Sequence, residues 1–490
     1  MRSLAAVLVA VLTLTGCVQT PAPAPTPTTD SPTPDTTFRI VTTEKPATFD
    51  PAAATTSADA IVALNVFSRL MLVHPDDPTP KPDLATDCLY TSPTIYRCEL
   101  PAGLVFHNGH ALTSSDVKFS IERAYRLSVP HSSIRLFDAL ERVDVVDDRT
   151  VDFVLKWEDS QFGYALATPA AGIVDEELYD PDAVRPNEGQ AIGSGPYQLV
   201  TTADDHLVFD RFTDYKGGLT GEIDAIELSF VADSAAAEAA MADGSASAVW
   251  RSLTTAARQR VAAEARATPA PEVVYTPVEL ADSRVQRLVF NPASAWRGDP
   301  TIRSAVALAL QPDRSLASLV PPAVTDASAS FAVGGNPEVP QIPGQRLRLT
   351  LSYDSAVPDQ RDVAGMVRDR LESYAGMSVQ LTPDTPEADL LLSERSAWVN
   401  TAFGWLQPYV DDPLPGSAAK VQELVEAARS TTDAAQRTAL LAEVQAQAAA
   451  DLTVLPLSLA SQTLYLRDGV TLQGYPFGPG WQLGLWSFRA

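Results

Sequence analysis

The chain is 490 residues long and 45% hydrophobic, enough to bury a substantial core distributed over about three compact segments. Its 61 acidic and 36 basic side chains leave a formal net charge of -25, and no basic cluster stands out anywhere. That balance argues against nucleic acid or anionic lipid as electrostatic partners and leaves cationic solutes open.

The N-terminus reads as a targeting segment. Leu4 to Leu14 is apolar apart from Thr13, follows one basic residue, Arg2, and runs into Leu14-Thr15-Gly16-Cys17. Such a run falls short of the ~20 residues that a membrane-spanning helix needs. It is the pattern of a secretory signal, residues 1–16, ending at a lipidation cysteine, Cys17. From Val18 to Thr37 the chain is almost entirely Pro, Thr, Ala and Ser, which cannot fold and favours an extended polyproline path. Residues 17–37 are therefore expected to tether a body on the outer face of the cell membrane, reaching about 60 Å from the lipid.

The folded part begins with a strand at Phe38 to Val41 and a turn at Thr48-Phe49-Asp50-Pro51. Apolar residues at helical spacing predict a helix from Asp59 to Leu72. Cys88 and Cys98 flank Leu-Tyr-Thr-Ser-Pro-Thr-Ile-Tyr-Arg, two short strand-like runs about a Ser-Pro turn, so the two cysteines are expected opposite each other in a disulfide. Asn108-Gly109 marks a turn, and Thr113-Ser114-Ser115-Asp116 opens a helix with a hydroxyl cap and an acid three places on. Strands are expected at 143–156 around Asp147-Asp148, then a sharp turn at Gly193-Ser194-Gly195-Pro196-Tyr197 and strands at 198–200 and 207–211. Helices near 234–242 and 254–267 precede a strand at 285–291 and a helix at 301–310. The strand at 347–353, helix at 359–374 and strands at 378–382 and 389–392 form a β-α-β-like series. This argues for an α/β arrangement. Helices at 417–430 and 432–451, a strand at 454–459 and an aromatic C-terminus complete the chain.

Catalytic patterns are scarce. There is no Gly-x-Ser-x-Gly, His-Glu-x-x-His, phosphate loop or dinucleotide fingerprint. Ser115-Asp116-Val117-Lys118 matches Ser-x-x-Lys, but Ser115 is better explained by a helix start. His107-x-x-His110 spans a turn without an evident third ligand. No enzyme activity, cofactor or metal is expected.

Several segments, in order, resemble the family 5 extracellular solute-binding proteins, the peptide/nickel-type receptors of ABC importers. Leu100-Pro-Ala-Gly-Leu-Val-Phe-His-Asn-Gly109 and Ala111-Leu-Thr-Ser-Ser-Asp-Val-Lys-Phe-Ser120 follow the family's signature nearly throughout. Thr48 to Pro51, Lys81-Pro-Asp-Leu-Ala85, Gly193 to Tyr197, Ile302 to Leu310 with Asp313-Arg314, and Phe403-Gly404-Trp405 with Asp412-Pro413 resemble further family segments. The helix that usually follows the Asp-Arg element is missing before the 347 strand.

The resemblance implies an α/β, two-lobed periplasmic-binding-protein-like fold of type II, in the large peptide-binding subclass. Lobe I would be 38–275 with an extra subdomain at about 70–190, lobe II 276–455, and 456–490 a return to lobe I. It also implies capture of oligopeptides or related solutes between the lobes, delivery to an ABC permease and its ATPase, and a monomer. Walls for an extended ligand suggest Phe49, Phe403, Trp405 and Tyr409, each with core packing as the alternative. Asp411 is the acid nearest the place where peptide-binding members hold the peptide's amine, and Asn65 and Asn291 are further candidates. N-blocked peptides, cationic opines, oligosaccharides and metal chelates are other solutes the fold accommodates. An anchored sensor or structural lipoprotein without transport is the alternative that the missing helix motivates.

Overall fold

Alternating apolar residues in Phe38–Thr42 place Phe38 and Ile40 on one face, and that strand joins a ten-stranded sheet. From one edge the sheet runs Met377–Pro383, Leu347–Tyr353, Leu390–Arg395, Tyr275–Phe290, Val454–Arg467, Ala248–Trp250, Phe38–Thr42, Ala225–Phe230, His206–Arg211 and Tyr197–Thr202. The computed structural model describes residues 37–490 apart from 76, 189, 267–271, 341, 343–345 and 375. The signal segment, Cys17 and the tether as far as residue 36 lie outside the described residues.

The sheet serves two large cores. Ile40, Leu64, Phe67, Tyr197, Phe209, Trp250, Leu464 and Trp486 pack together in one lobe. Leu288, Phe290, Val306, Leu351, Leu371, Trp405, Tyr409, Leu441 and Leu455 pack in the other. A third cluster, containing Phe106, Val117, Ile121, Phe137, Phe153 and Phe162, lies under a separate four-stranded sheet. In that sheet Asp87–Ser92 and Ile95–Glu99 form a hairpin with Cys88 directly opposite Cys98, and the two sulfurs are bonded. Helix Ser114–Leu127 packs beside it. Thr113 and Asp116 cap it reciprocally, a device worth about 1 kcal/mol.

Several elements differ from the sequence expectation. The first helix is Ser57–Val66, not 59–72, and Met71–His74 is a strand paired with Asp77–Pro82. The helix stops because its end is met by other backbone: Gly195 N–H donates to the Val66 carbonyl at 2.8 Å, and the Ser68 hydroxyl donates to the Ser194 carbonyl at 2.6 Å. A Cβ on Gly193 would lie 2.1 Å from the Val66 oxygen, and one on Gly195 would lie 2.6 Å from the Asn65 oxygen. Closeness of the two backbones, rather than turn geometry alone, is why both positions are glycine.

The strands expected at 285–291 and 454–459 are parts of two long ones, Tyr275–Phe290 and Val454–Arg467. Their polar middles hide the continuity. A helix, Ala402–Val410, also stands where none was expected, capped by Thr401, whose side chain accepts from Gly404 N–H, and containing Pro408.

Candidate ligand-binding site

The two long strands pair antiparallel through both lobes. Tyr275 to Leu280 faces Leu466, Gln462 and their neighbours, Arg284 to Val289 faces Ala460 to Val454, and the register shifts between Leu280 and Arg284. At the shift Asp282 has φ 54°. The Ser283 hydroxyl donates to the Leu280 carbonyl at 2.7 Å and accepts from the Gln462 backbone and side-chain N–H groups at 3.3 and 3.2 Å. The ladder is interrupted while its polar groups stay paired, so this crossing is a natural place for lobes to pivot.

Beside the crossing is a cavity of about 250 Å³. One wall comes from Glu44, from Thr55 to Ser57 at the start of the first helix, from His131 and from Arg251. The opposite wall comes from Arg284 and Arg287 just beyond the shift, from Asp354, from Glu394 and Arg395 at the end of their strand, and from the Ala402–Val410 helix. Larger cavities of about 500 and 600 Å³ lie around Gln286, Ser461 and Thr463 and beside Arg314 and Met366. The smaller one is the candidate because charged groups from both lobes face it and two of them have no partner among the described residues.

Most of those charges are matched. Arg251 contacts Glu44 at 2.6 Å and Glu394 at 3.3 Å, and Glu394 lies 3.0 Å from Arg284, so a chain of ion pairs runs from lobe to lobe. Arg284 also donates to Ser57 Oγ at 3.2 Å, to Gln462 Oε1 at 3.3 Å and to the Glu394 carbonyl. Asp411 accepts from Gln407 at 2.7 Å and from Arg135 at 3.3 Å, and burial raises its carboxyl above the ordinary range.

Arg287 and Arg395 are different. Arg287 is 8% exposed, its Nε is buried without an acceptor, and among the described residues no carboxylate or carbonyl meets its guanidinium. Burial first, then repulsion from Arg395 and Arg284, pushes it down to about 9. Arg395 makes no side-chain hydrogen bond or ion pair with any described residue. Its side chain is open to the cavity, yet the protein packed around it also lowers its guanidinium, against the weaker pull of Asp354 and Asp59. His131 is lowered too, first by burial and then by Arg395 and Arg287, so it is neutral at pH 7.

Residues 79–345, more than half of the chain, match the family model of the bacterial extracellular solute-binding proteins, family 5, middle region. The chain belongs to that family. The family 5 assignment agrees with the fold. The dipeptide binding protein from Pseudoalteromonas sp. SM9913 in complex with Met-Leu superposes with a TM-score of 0.77 at 16% identity, covering 92% of this chain and 99% of that one. The PBP AgaA in complex with agropinic acid, from A.tumefacien R10, gives 0.75 at 18% identity, covering 92% and 98%. NikZ from Campylobacter jejuni in complex with Ni(L-His) gives 0.75 at 16% identity, covering 93% and 99%. At such identities the likeness is one of fold: a mixed α/β, two-lobed binding protein.

Among curated proteins, the HTH-type transcriptional regulator SgrR of Pectobacterium atrosepticum is 29% identical over 168 residues, 34% of this chain and 28% of that protein. The glutathione-binding protein GsiB of the same organism is 30% identical over 171 residues, 34% of this chain and 31% of that one. The matches therefore span less than a third of either relative's length.

Of the residues singled out from the sequence, Asp411 alone lines the 250 Å³ cavity. The others are engaged elsewhere. Phe49 packs in the first lobe and its N–H donates to Asn187, while Asn65 ties the first helix to the C-terminal segment through Leu483 and Leu485. Asn291 donates to the carbonyls of Pro386 and Ala388. Phe403, Trp405 and Tyr409 all face the second lobe's core, with Trp405 donating to Asn400 at 2.9 Å and Tyr409 to Asp451 at 2.7 Å. Helical periodicity explains the division: Gly404, Gln407, Pro408 and Asp411 share the cavity face, and the aromatics occupy the other. The arginines were missed. Their signal was Arg284 and Arg287 spaced among Val285, Leu288, Val289 and Phe290, and Glu394-Arg395 at the end of Leu390 to Leu392.

Proposed function

We propose that the protein is the lipid-anchored substrate-binding subunit of an ABC importer, which captures an oligopeptide or related solute between its lobes and hands it to a membrane permease and ATPase. The observation that carries this reading is the cavity at the strand crossing, walled by charged groups from both lobes and bounded by an ion-pair chain that links them. A solute touching both walls stabilises the closed arrangement over the open one, which is what a capture-and-release receptor requires. Closure itself is supported by Arg429 of one lobe, which donates to Asp159 of the other at 2.9 Å.

The division into lobe I (38–275 with 456–490, including the subdomain near 70–190) and lobe II (276–455) is supported by hydrophobic clusters that follow it in the main; among the exceptions are Leu280, Trp398 and Val399, which pack with lobe I. Anchoring rests on the Leu-Thr-Gly-Cys17 pattern, and the Cys88–Cys98 bond suits an oxidising compartment. We read the chain as a monomer without catalysis.

A second reading is a membrane-anchored sensor of the same fold. It is favoured by the helix-free stretch between Arg314 and Leu347, among its described residues, and by the regulator names of several curated relatives. Native mass spectrometry on the mature protein purified from its host, followed by denaturation, tests both. One discrete solute per chain, together with loss of its uptake on deletion, supports the importer subunit. A bound solute without any uptake defect supports the sensor.

A further inference from the structure

We propose that the cleft selects a small anionic solute, seating a compact oxyanion, carboxylate or phosphate, between the Arg287 and Arg395 guanidiniums. This rests on the receptor reading and narrows its substrate class.

An isolated charge held away from water is costly, and folded chains offset that cost by pairing it. This chain does so repeatedly: Arg123 forks onto Asp50, and Arg429 onto Asp159. Arg287 is nearly as buried as either and, among the described residues, has no partner. It faces the same cavity as Arg395, which repels it and is equally without an ion pair. Two forked donors on one small space match the two or three oxygens of a carboxylate or phosphate.

The cavity's carboxylates do not compete for the role. Glu44 and Glu394 are taken by Arg251 and Arg284, and Asp411 by Arg135 and Gln407. Asp354 accepts the Ala356 N–H at 2.9 Å and is the nearest acid to Arg395, without closing an ion pair. The unmatched charge in the cleft is therefore positive, inside a protein whose net charge is -25. A solute with an amine would find at most Asp354 unspent. A space of about 250 Å³ is also below the ~300–1,000 Å³ usual for drug-sized ligands, which favours a compact solute.

The test is isothermal titration of the full-length, detergent-solubilised protein with succinate, inorganic phosphate, the dipeptide Ala-Ala and its C-terminal amide, alongside identification of any solute released on denaturing protein taken from its host. Binding of succinate or Ala-Ala but not the amide identifies a carboxylate; binding of phosphate alone identifies a phosphate. Arg287→Gln and Arg395→Gln should each weaken the bound anion by about tenfold to a hundredfold, as loss of a charge-assisted hydrogen bond does, with no fall in the ligand-free melting temperature. An anionic released solute supports the proposal even where no probe binds. Equal binding of Ala-Ala and its amide, unchanged anion affinity in both variants, or a released solute that carries no carboxylate, phosphate or other oxyanion overturns it and leaves the receptor reading intact. No binding and no released solute removes both.

Discussion

Arg123 and Arg287 occupy comparable depths in different regions, at 1% and 8% exposure. In the first lobe Arg123 places Nη1 on Asp50 Oδ1 at 3.0 Å and Nη2 on Asp50 Oδ2 at 2.5 Å, and its remaining donors reach the carbonyls of Asp180 and Ala183, both at 2.7 Å. The same Asp50 also accepts from the N–H groups of Ala52 and Arg185. The charges of both side chains are answered from within the chain. In the cleft the equivalent donors are not answered. The difference separates an arginine that holds a structure together from one that the structure holds in readiness, and burial alone does not distinguish them.

Asp50→Ala leaves Arg123 charged, buried and unpaired, and should cost about 3–5 kcal/mol in urea unfolding. A cost below about 1 kcal/mol would mean that the satisfied region is not held by its pair.

His107 is a buried group that is uncharged and partnered at one nitrogen only. Its Nε2 lies 3.1 Å from the Gly195 carbonyl, and Nδ1 is buried without a partner. Burial, only partly opposed by that hydrogen bond, pushes the imidazole down to about 4. Its folded value lies below the ordinary 6.5, so the unfolded chain binds more protons between the two. Stability from this group is complete above pH 6.5 and is lost as pH falls toward 4, by about 3 kcal/mol. The unfolding midpoint of His107→Gln should fall less than that of the parent across that window; parallel curves would show that His107 takes no part.

The smallest effect is expected at Arg287 itself, with the opposite sign to Asp50→Ala. Arg287→Met removes a buried charge without orphaning a partner, so the ligand-free protein should be unchanged or gain about 1 kcal/mol in the same urea assay. A loss above about 2 kcal/mol would make Arg287 a structural residue like Arg123.

Much of the scaffold was legible because its causes are local. The cap at Thr113 and Asp116 lies within four residues, and the Cys88–Cys98 hairpin is set by eleven. The β-α-β series from Leu347 to Arg395 follows from short apolar runs alternating with one amphipathic helix. The long crossing strands were harder to read, since their polar middles around Asp282-Ser283 and Ser461-Gln462 look like loops. Aromatic residues near Gly404 suggested a ligand wall, and the helix turns them to the core instead.

The hairpin, the helix caps and the order of segments that marks the family follow from the sequence alone, because each depends on neighbours in the chain. Only the tertiary structure decided which charges meet. Asp50 reaches Arg123 across 73 residues and Asp159 reaches Arg429 across 270, so no local pattern shows that these arginines are matched while Arg287 and Arg395 are not. Charge pairing depends on distance in space, and in a fold whose strands cross between lobes that distance is set by the whole chain.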